Sequence, residues 1–363
     1  MKQNLKTIII GVVFFALCIF AALNNNQNKQ NNPNNPNEEA LLTRYEVSFW
    51  DVFDTKVDII GYSSDKEVFT EKVNLLRERL EQYHKLYDIY NDYEGINNLK
   101  TINDNAGIAP VVVDKEIISL LKLAKEMYRQ SNGQFNVAMG SVLKIWHDYR
   151  EAGSNDPRTA ELPPMELLEE AAAYVDIEQI LIDEEASTVY LPDVHMAIDV
   201  GGIGKGYAVE RIAEYAKEIG LDSVLLSVGG NICAVGTKFD GSSWKIGIEN
   251  PDKSSNKEHV ALIKVADVSV VTSGDYQRYY FVDGERYCHI IDGDTLMPAN
   301  YFPSVSIIVK DSGVADALST SVFNMPFEEG LAFVNSMDGV EAIWVLDDGT
   351  IAYSDGFEQY LAN

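Results

Sequence analysis

Several stretches of this chain carry residue types at spacings that could do chemistry. In DALST, Asp316 and Thr320 stand at i and i+4, so a helix would point both side chains the same way. A carboxylate and a hydroxyl so placed suit a hard cation such as Mg²⁺, which takes oxygen ligands and keeps water and phosphate in its shell. The same pair also reads as a helix-surface hydrogen bond. From Met196 to Gly230, MAIDVGGIGKGYAVERIAEYAKEIGLDSVLLSVGG sets Asp199, several glycines and Lys205 ahead of a helical pattern. Bare glycine N–H groups and a helix N-terminus favour a phosphate. The spacing is neither known phosphate loop: Tyr207 stands where a dinucleotide fingerprint needs its third glycine, and Asp199 where a P-loop needs its first. The Gly201-Gly202 turn could lend a carbonyl oxygen to a cation. His289, in YCHIIDGDT, precedes an Asp-Gly turn and is a candidate general base, with an unperturbed titration near about 6.5. Its neighbour Cys288 would face the other side of a strand, which sets a Cys–His nucleophile aside. Tyr90 and Phe135 could stack on a planar ring or pack toward the core. TSGDYQRYY, ending at Tyr280, adds hydroxyls and an arginine.

The elements that must position these residues follow from periodicity. Alternation from Tyr45 to Tyr62 predicts a strand pair. Phe69, Val73, Leu76, Leu80, Tyr83 and Tyr87 recur at four-three spacing and predict a long core-packing helix. IYNDYEGINNLKTINDNAG reads as a loop, and Ile117 to Tyr128 as a second helix ending near Gly133. Glu151 to Pro164 reads as a surface excursion, Met165 to Val175 as a short helix, and Thr188 to Val200 as a strand pair. The apolar run reaching Asp199 predicts a strand before the glycine turn. Val209, Ile212, Ala213, Ala216 and Ile219 predict a helix that Gly220 ends. Beyond Gly230 the chain reads mainly as strands, with hairpin turns at Asp283-Gly284 and Asp348-Gly349 and a helix through VADALSTSVFNM. Helices and antiparallel strands without a regular βαβ rhythm make an α+β fold of mixed, largely antiparallel sheets with packed helices.

The 363 residues suffice for one large domain or two ordinary ones. A net charge of −27 excludes nucleic acid, whose phosphates need a basic face, and argues against anionic membrane surfaces. Residues 1–23 hold Lys2 and Lys6 before an apolar run, Ile8 to Leu23. As a helix it spans about 24 Å, short of a hydrocarbon core of roughly 30 Å. Leu17 precedes Cys18 where a lipidated cysteine needs a small residue, and no small-x-small site closes the run. The expectation is an uncleaved membrane anchor, with a cleaved or lipoprotein signal as alternatives. Its positive end lies inside and the catalytic body, residues 41–363, is extracytoplasmic. Residues 24–40, rich in Asn, read as a flexible tether. Cys233 and Cys288, the cysteines beyond it, are expected as small core residues.

Taken together, IDVGGIGKGYAVERIA, VVTSGDYQRYY followed by HIID, and ADALST resemble the FAD:protein FMN transferases of the ApbE family, in that family's order and spacing. The resemblance covers the chain from about Phe53 to the C-terminal hairpin. It implies Mg²⁺-dependent cleavage of FAD, transfer of FMN to a threonine or serine hydroxyl of an exported acceptor protein, and release of AMP. The acceptor implied carries a Ser/Thr-Gly-Ala-Ser/Thr stretch, as a subunit of a membrane redox complex would. By the same resemblance Asp316, Thr320 and the Gly202 backbone form the metal site, and His289 is the base. Phe53, Tyr90, Gln134 and Phe135 correspond to FAD contacts, as do Asn136, Asp199, Lys205 and Ile290. The chain departs from the family at Phe53-Asp54-Thr55, where Met-Gly-Thr is usual, at GQFNVAMG, where Asn136 replaces a carboxylate, and at Asn231, where Asp is frequent. Water in place of the hydroxyl would make the site an FAD pyrophosphatase. A non-catalytic FAD-binding lipoprotein is the distant alternative, and the intact DALST pair disfavours it.

Overall fold

The computed structural model describes residues 42–362, so the anchor and the tether lie outside the described residues. Thr43–Val52 (β1) and Thr55–Ser63 (β2) pair antiparallel, joined by a two-residue turn in which Phe53 and Asp54 both have left-handed φ, 53° and 49°. Lys66–Tyr87 (α1) follows, started by Asp65, whose carboxylate accepts from the N–H of Glu67 and Val68. It buries the six residues whose spacing predicted it. Leu99–Asp104 (α2), Val111–Val112 (β3), Lys115–Gln130 (α3), Gly140–Asn155 (α4) and Met165–Ala172 (α5) come next. Leu181–Asp183 (β4) and Thr188–Tyr190 (β5) complete a small three-stranded sheet with β3. Gly204–Glu218 (α6) leads into Val224–Val228 (β6), Asn231–Val235 (β7), Trp244–Glu249 (β8), His259–Val265 (β9) and Val268–Gly274 (β10). Tyr279–Val282 (β11) and Glu285–Cys288 (β12) form a separate hairpin. Ser304–Val309 (β13), Ser312–Phe323 (α7), Phe327–Asn335 (α8), Glu341–Val345 (β14) and Ile351–Tyr353 (β15) end the fold.

The main sheet has eight strands in the order β1-β2-β6-β7-β10-β13-β14-β15, every neighbouring pair antiparallel. One face, with Val57, Ile59, Val224, Leu226, Val305 and Ile307, packs on α1, α6 and α7 in the principal core. The alternate residues, Ile60, Leu225 and Ile308, face a smaller core that the β8–β9 hairpin closes with Trp244, Ile246 and Ile263. A third cluster joins Val142 and Trp146 of α4 to Tyr280 and Val282 of β11. The α+β reading with largely antiparallel sheets holds.

Four local expectations are corrected. No strand precedes the glycine turn: of Thr188 to Val200 only β5 is a strand, and Met196–Val200 makes a single bridge, Ala197 to Met139. The run stays extended because the Asn103 amide, not a neighbouring strand, satisfies both the N–H and the C=O of Ile198, at 2.8 and 2.9 Å. The Asn-rich loop contains α2, nucleated by a capping box between Asn98 and Thr101. The excursion begins later than expected, since α4 continues to Asn155. His289 lies one residue beyond β12, at a bend rather than within a strand.

Candidate active site

Asp316 and Thr320 lie on α7 one turn apart, as their spacing predicts. α7 is held against α6 at contacts too close for a side chain. A Cβ on Gly206 would come within 2.2 Å of the Ser312 carbonyl oxygen and 2.4 Å of the Asp316 Cβ. The Gly206 N–H donates to Asp316 Oδ2 at 2.7 Å, and the Asn231 amide lies beside the carboxylate without full hydrogen-bonding geometry. Burial pushes the Asp316 pKa up, while the Lys205 ammonium and the Gly206 N–H act the other way. A Cβ on Gly202 would come within 2.9 Å of Thr320 Oγ1 and 3.2 Å of the Phe135 ring, so the glycine turn presses directly on the hydroxyl. One carboxylate, one hydroxyl and an adjacent main-chain turn fit a hard cation that keeps open positions for water and phosphate. Among the described residues there is no cluster of three or more His, Cys, Asp or Glu side chains for a softer or all-protein metal site.

Lys205 joins this pair to the histidine, because its charge acts on both Asp316 and His289. His289 is half-buried, with Nδ1 enclosed and without a hydrogen-bond partner among the described residues. Burial, then the charges of Arg278, Arg150 and Lys205, hold its pKa down to about 3, so the ring is neutral at pH 7. Cys288 faces away, its Sγ donating toward the Ile290 and Ala299 carbonyls, with burial pushing its pKa up to about 11. That geometry removes the thiol from the chemistry.

Two arginines stand around the same point, and neither forms an ion pair with a carboxylate among the described residues. Arg150, on α4, contacts His147 Nδ1 at 3.1 Å through Nη2, and the His147 ring lies 5.3 Å from that of Tyr90. Burial and then the neighbouring Arg278 lower the Arg150 pKa. Asp199 Oδ1 accepts from the Gly201 N–H at 2.7 Å and so shapes the glycine turn. Burial raises its pKa against the pull of that bond and of His147, Arg150 and Arg278. A site of lysine and two unpaired arginines in a chain of net charge −27 is a local trap for an anion.

The remaining predicted contacts divide. Phe135 is buried against the glycine turn, and Tyr90 is exposed on its loop beside His147. Gln134 Nε2 donates to Asp294 Oδ2 at 3.1 Å, which ties GQFN to the turn after His289. Ile290 is buried and its carbonyl accepts from the Ala299 N–H. Phe53 sits at the β1–β2 turn with its N–H on His84 Nδ1. Asn136 uses part of its amide within the loop, donating to the Val175 carbonyl at 2.9 Å and accepting from the Ala138 N–H at 2.8 Å, which leaves one N–H and one lone pair for a ligand. Sequence reasoning missed His147, Arg150 and Asn324. Asn324, just past α7, donates to the Gln134 and Ile291 carbonyls and so fastens two loops to the end of α7. Nothing in the spacing of these residues marks them: the Arg150–His147 contact resembles any i,i+3 helix pair, His147 meets Tyr90 on another element, and Asn324 reaches Gln134 across 190 positions.

A sequence profile of the ApbE family matches residues 43–344, most of the chain. The chain belongs to the ApbE family. A protein of Treponema pallidum (strain Nichols) named FAD:protein FMN transferase is 35% identical over 273 residues, 71% of this chain and 73% of its own. One of the same name from Vibrio cholerae is 28% identical over 306 residues, 84% of this chain and 85% of its own. The crystal structure of the ApbE protein of Thermotoga maritima superposes with a TM-score of 0.77 at 29% identity, covering 88% of this chain and all of that one. This ApbE-family chain therefore shares the fold as well as the motifs on which the resemblance rests.

Proposed function

We propose that this protein is an FAD:protein FMN transferase that depends on Mg²⁺. The observation that carries the reading is the glycine turn set against α7, where the Gly206 N–H donates to Asp316 Oδ2 at 2.7 Å and a Cβ on Gly202 would come within 2.9 Å of Thr320 Oγ1. A pyrophosphate beside this turn would meet the charge of Lys205, with Arg150, Arg278 and the neutral His289 ring near it. Asp316, Thr320 and the Gly202 carbonyl would hold Mg²⁺, which when bound neutralises phosphate charge as AMP leaves. Lys205 and the N-terminus of α6 hold the anion and favour the charge that develops on the departing phosphate. His289, neutral at pH 7, accepts the proton of the incoming threonine or serine hydroxyl. Phe135 and the glycine turn exclude water from one side.

The acceptor is an exported protein with a hydroxyl in a Ser/Thr-Gly-Ala-Ser/Thr stretch, and the enzyme is held at the membrane by its N-terminal segment. Support for that location is the Lys2 and Lys6 charge, the apolar run and the tether. Among the described residues, no helix is long and apolar enough to cross a membrane. The test is AMP release from FAD with Mg²⁺, with and without a polypeptide bearing that stretch. AMP only with acceptor, with flavin retained on the denatured acceptor, is the result expected. Equal AMP without acceptor would make the protein a pyrophosphatase, and FAD binding without AMP would make it a carrier.

A further inference from the structure

Phe53 and Tyr90, two aromatic residues that correspond by resemblance to FAD contacts, sit on different loops, and one unbroken series of hydrogen bonds joins them. The Phe53 N–H donates to His84 Nδ1 at 3.2 Å, and the two rings meet edge-on at 5.6 Å. The Tyr93 hydroxyl lies 3.5 Å from His84 Nε2 and donates to Asp88 Oδ2 at 2.7 Å. Asp88 Oδ1 accepts from the N–H of Tyr90 at 2.6 Å and of Asn91 at 3.1 Å, and Oδ2 also from the Asn91 amide at 2.9 Å. His84 belongs to the last turn of α1, and Asp88 is the residue that ends it. One helix end thus controls both loops.

The direction of each bond is dictated. A carboxylate only accepts, so Tyr93 must donate to Asp88, and its oxygen is left to accept from His84. The proton of a neutral His84 then sits on Nε2, and Nδ1 keeps the lone pair that the Phe53 N–H requires. Asp88 is 8% exposed, and bonds from Asn91, Tyr90 and Tyr93 outweigh its burial and lower its pKa, so it stays ionised. Burial and the Asp88 bond push Tyr93 up to about 12, so it stays a donor. Phe53 needs an anchor, because a φ of 53° is strained for a residue with a Cβ.

We propose that His84, Tyr93 and Asp88 are positioning residues that set the flavin-ring end of the site, with Asp88 fixing the His84 tautomer and the tautomer holding Phe53. The proposal rests on the FAD reading above. Its sharpest test is Asp88→Asn, which keeps size and polarity but turns a donor amide toward Tyr93. Tyr93 would then donate to Nε2, the His84 proton would move to Nδ1, and it would oppose the Phe53 N–H.

Expected for Asp88→Asn are a reversal of the His84 ring ¹⁵N tautomer signals, FMN binding weakened about tenfold (roughly one to two lost hydrogen bonds), and unchanged AMP binding. Tyr93→Phe should weaken FMN binding less, and His84→Gln, which offers an acceptor to Phe53, should weaken it less than His84→Ala. Equal losses for FMN and AMP would make the residues merely structural and overturn the proposal. So would a reversed tautomer with unchanged FMN affinity, or an unreversed one. Should Asp88→Asn fail to fold, Tyr93→Phe and the His84 pair carry the same comparison. If the wild-type protein binds AMP but not FMN, the FAD reading falls, while the tautomer signals still decide whether the relay exists.

Discussion

The helical half of the site and its loop half are held by different physics. Where α6 meets α7, glycine replaces side chain: at Gly206 and Gly202 the neighbouring atoms occupy the space a Cβ would need. The loop half draws Phe53, Tyr90, Arg278 and His289 from separate loops and His147 with Arg150 from α4, and single hydrogen bonds and charge join them. Close packing has no slack, so damage to the first half should be nearly all-or-none. Hydrogen bonds between loops are worth about 1 kcal/mol each, so damage to the second should be graded.

The largest effect expected is at the helical half. Asp316→Ala should lower AMP release from FAD by at least about a thousandfold, the several kcal/mol that charge neutralisation supplies. Gly206→Ala, which removes no functional group, should come close to it and lower the unfolding midpoint as well, since overpacking costs about 1–3 kcal/mol. Normal turnover in Gly206→Ala would show that the helix contact has room and erase the contrast.

His289→Asn comes next, with a loss of about 10² to 10⁴ in transfer rate and FAD binding retained in equilibrium titration. The expected pH dependence differs from that of an ordinary histidine. With the folded pKa held down to about 3, the ring is already deprotonated at pH 5. The kcat/KM profile, which reports the free enzyme, should therefore show no acid limb near about 6.5 from this residue. For stability the sign is the reverse of a paired histidine. Between about 3 and 6.5 the unfolded chain binds the extra proton, so stability falls as pH drops through that window. In His289→Asn that part of the acid sensitivity should vanish from thermal melts. An acid limb near 6.5 would mean that the arginines and burial do not act on the ring as described.

A smaller, graded loss is expected at the arginines. Arg150→Ala should weaken AMP binding about tenfold, the scale of one charge-assisted bond, and flatten the salt dependence of binding measured by calorimetry. Unchanged affinity and salt slope would remove Arg150 from the anion trap. The smallest effect is at the β1–β2 turn, where Asp54→Gly relieves a φ of 49° and should stabilise by at most about 1 kcal/mol. A fall in melting temperature would show that the Asp54 side chain holds the turn.

The sequence by itself determined what depends on neighbours within one element. The Asp316–Thr320 pair is legible because helix periodicity alone brings i and i+4 together. The same holds for the buried stripe of α1, and the glycines between Asp199 and Tyr207 mark a close backbone approach before any partner is known. The order of these motifs along the chain was enough to place it in its family. Local patterns went wrong in two ways: a distant group took over a backbone bond where Asn103 kept Met196–Asp199 out of a sheet, and a local cap went unread where Asn98 and Thr101 wind a helix inside an apparent loop. Tertiary structure alone decided the loop half. Arg150 on an amphipathic helix looks like any surface arginine, and His84 like any residue in a last helical turn. Their roles come from side chains 31 residues away in the case of His84 and Phe53, and from charges whose partners lie on other elements for Arg150. The same is true of the His289 titration. A pKa is set by burial and by the charges that three other segments bring to the ring, and no spacing in the chain encodes that sum.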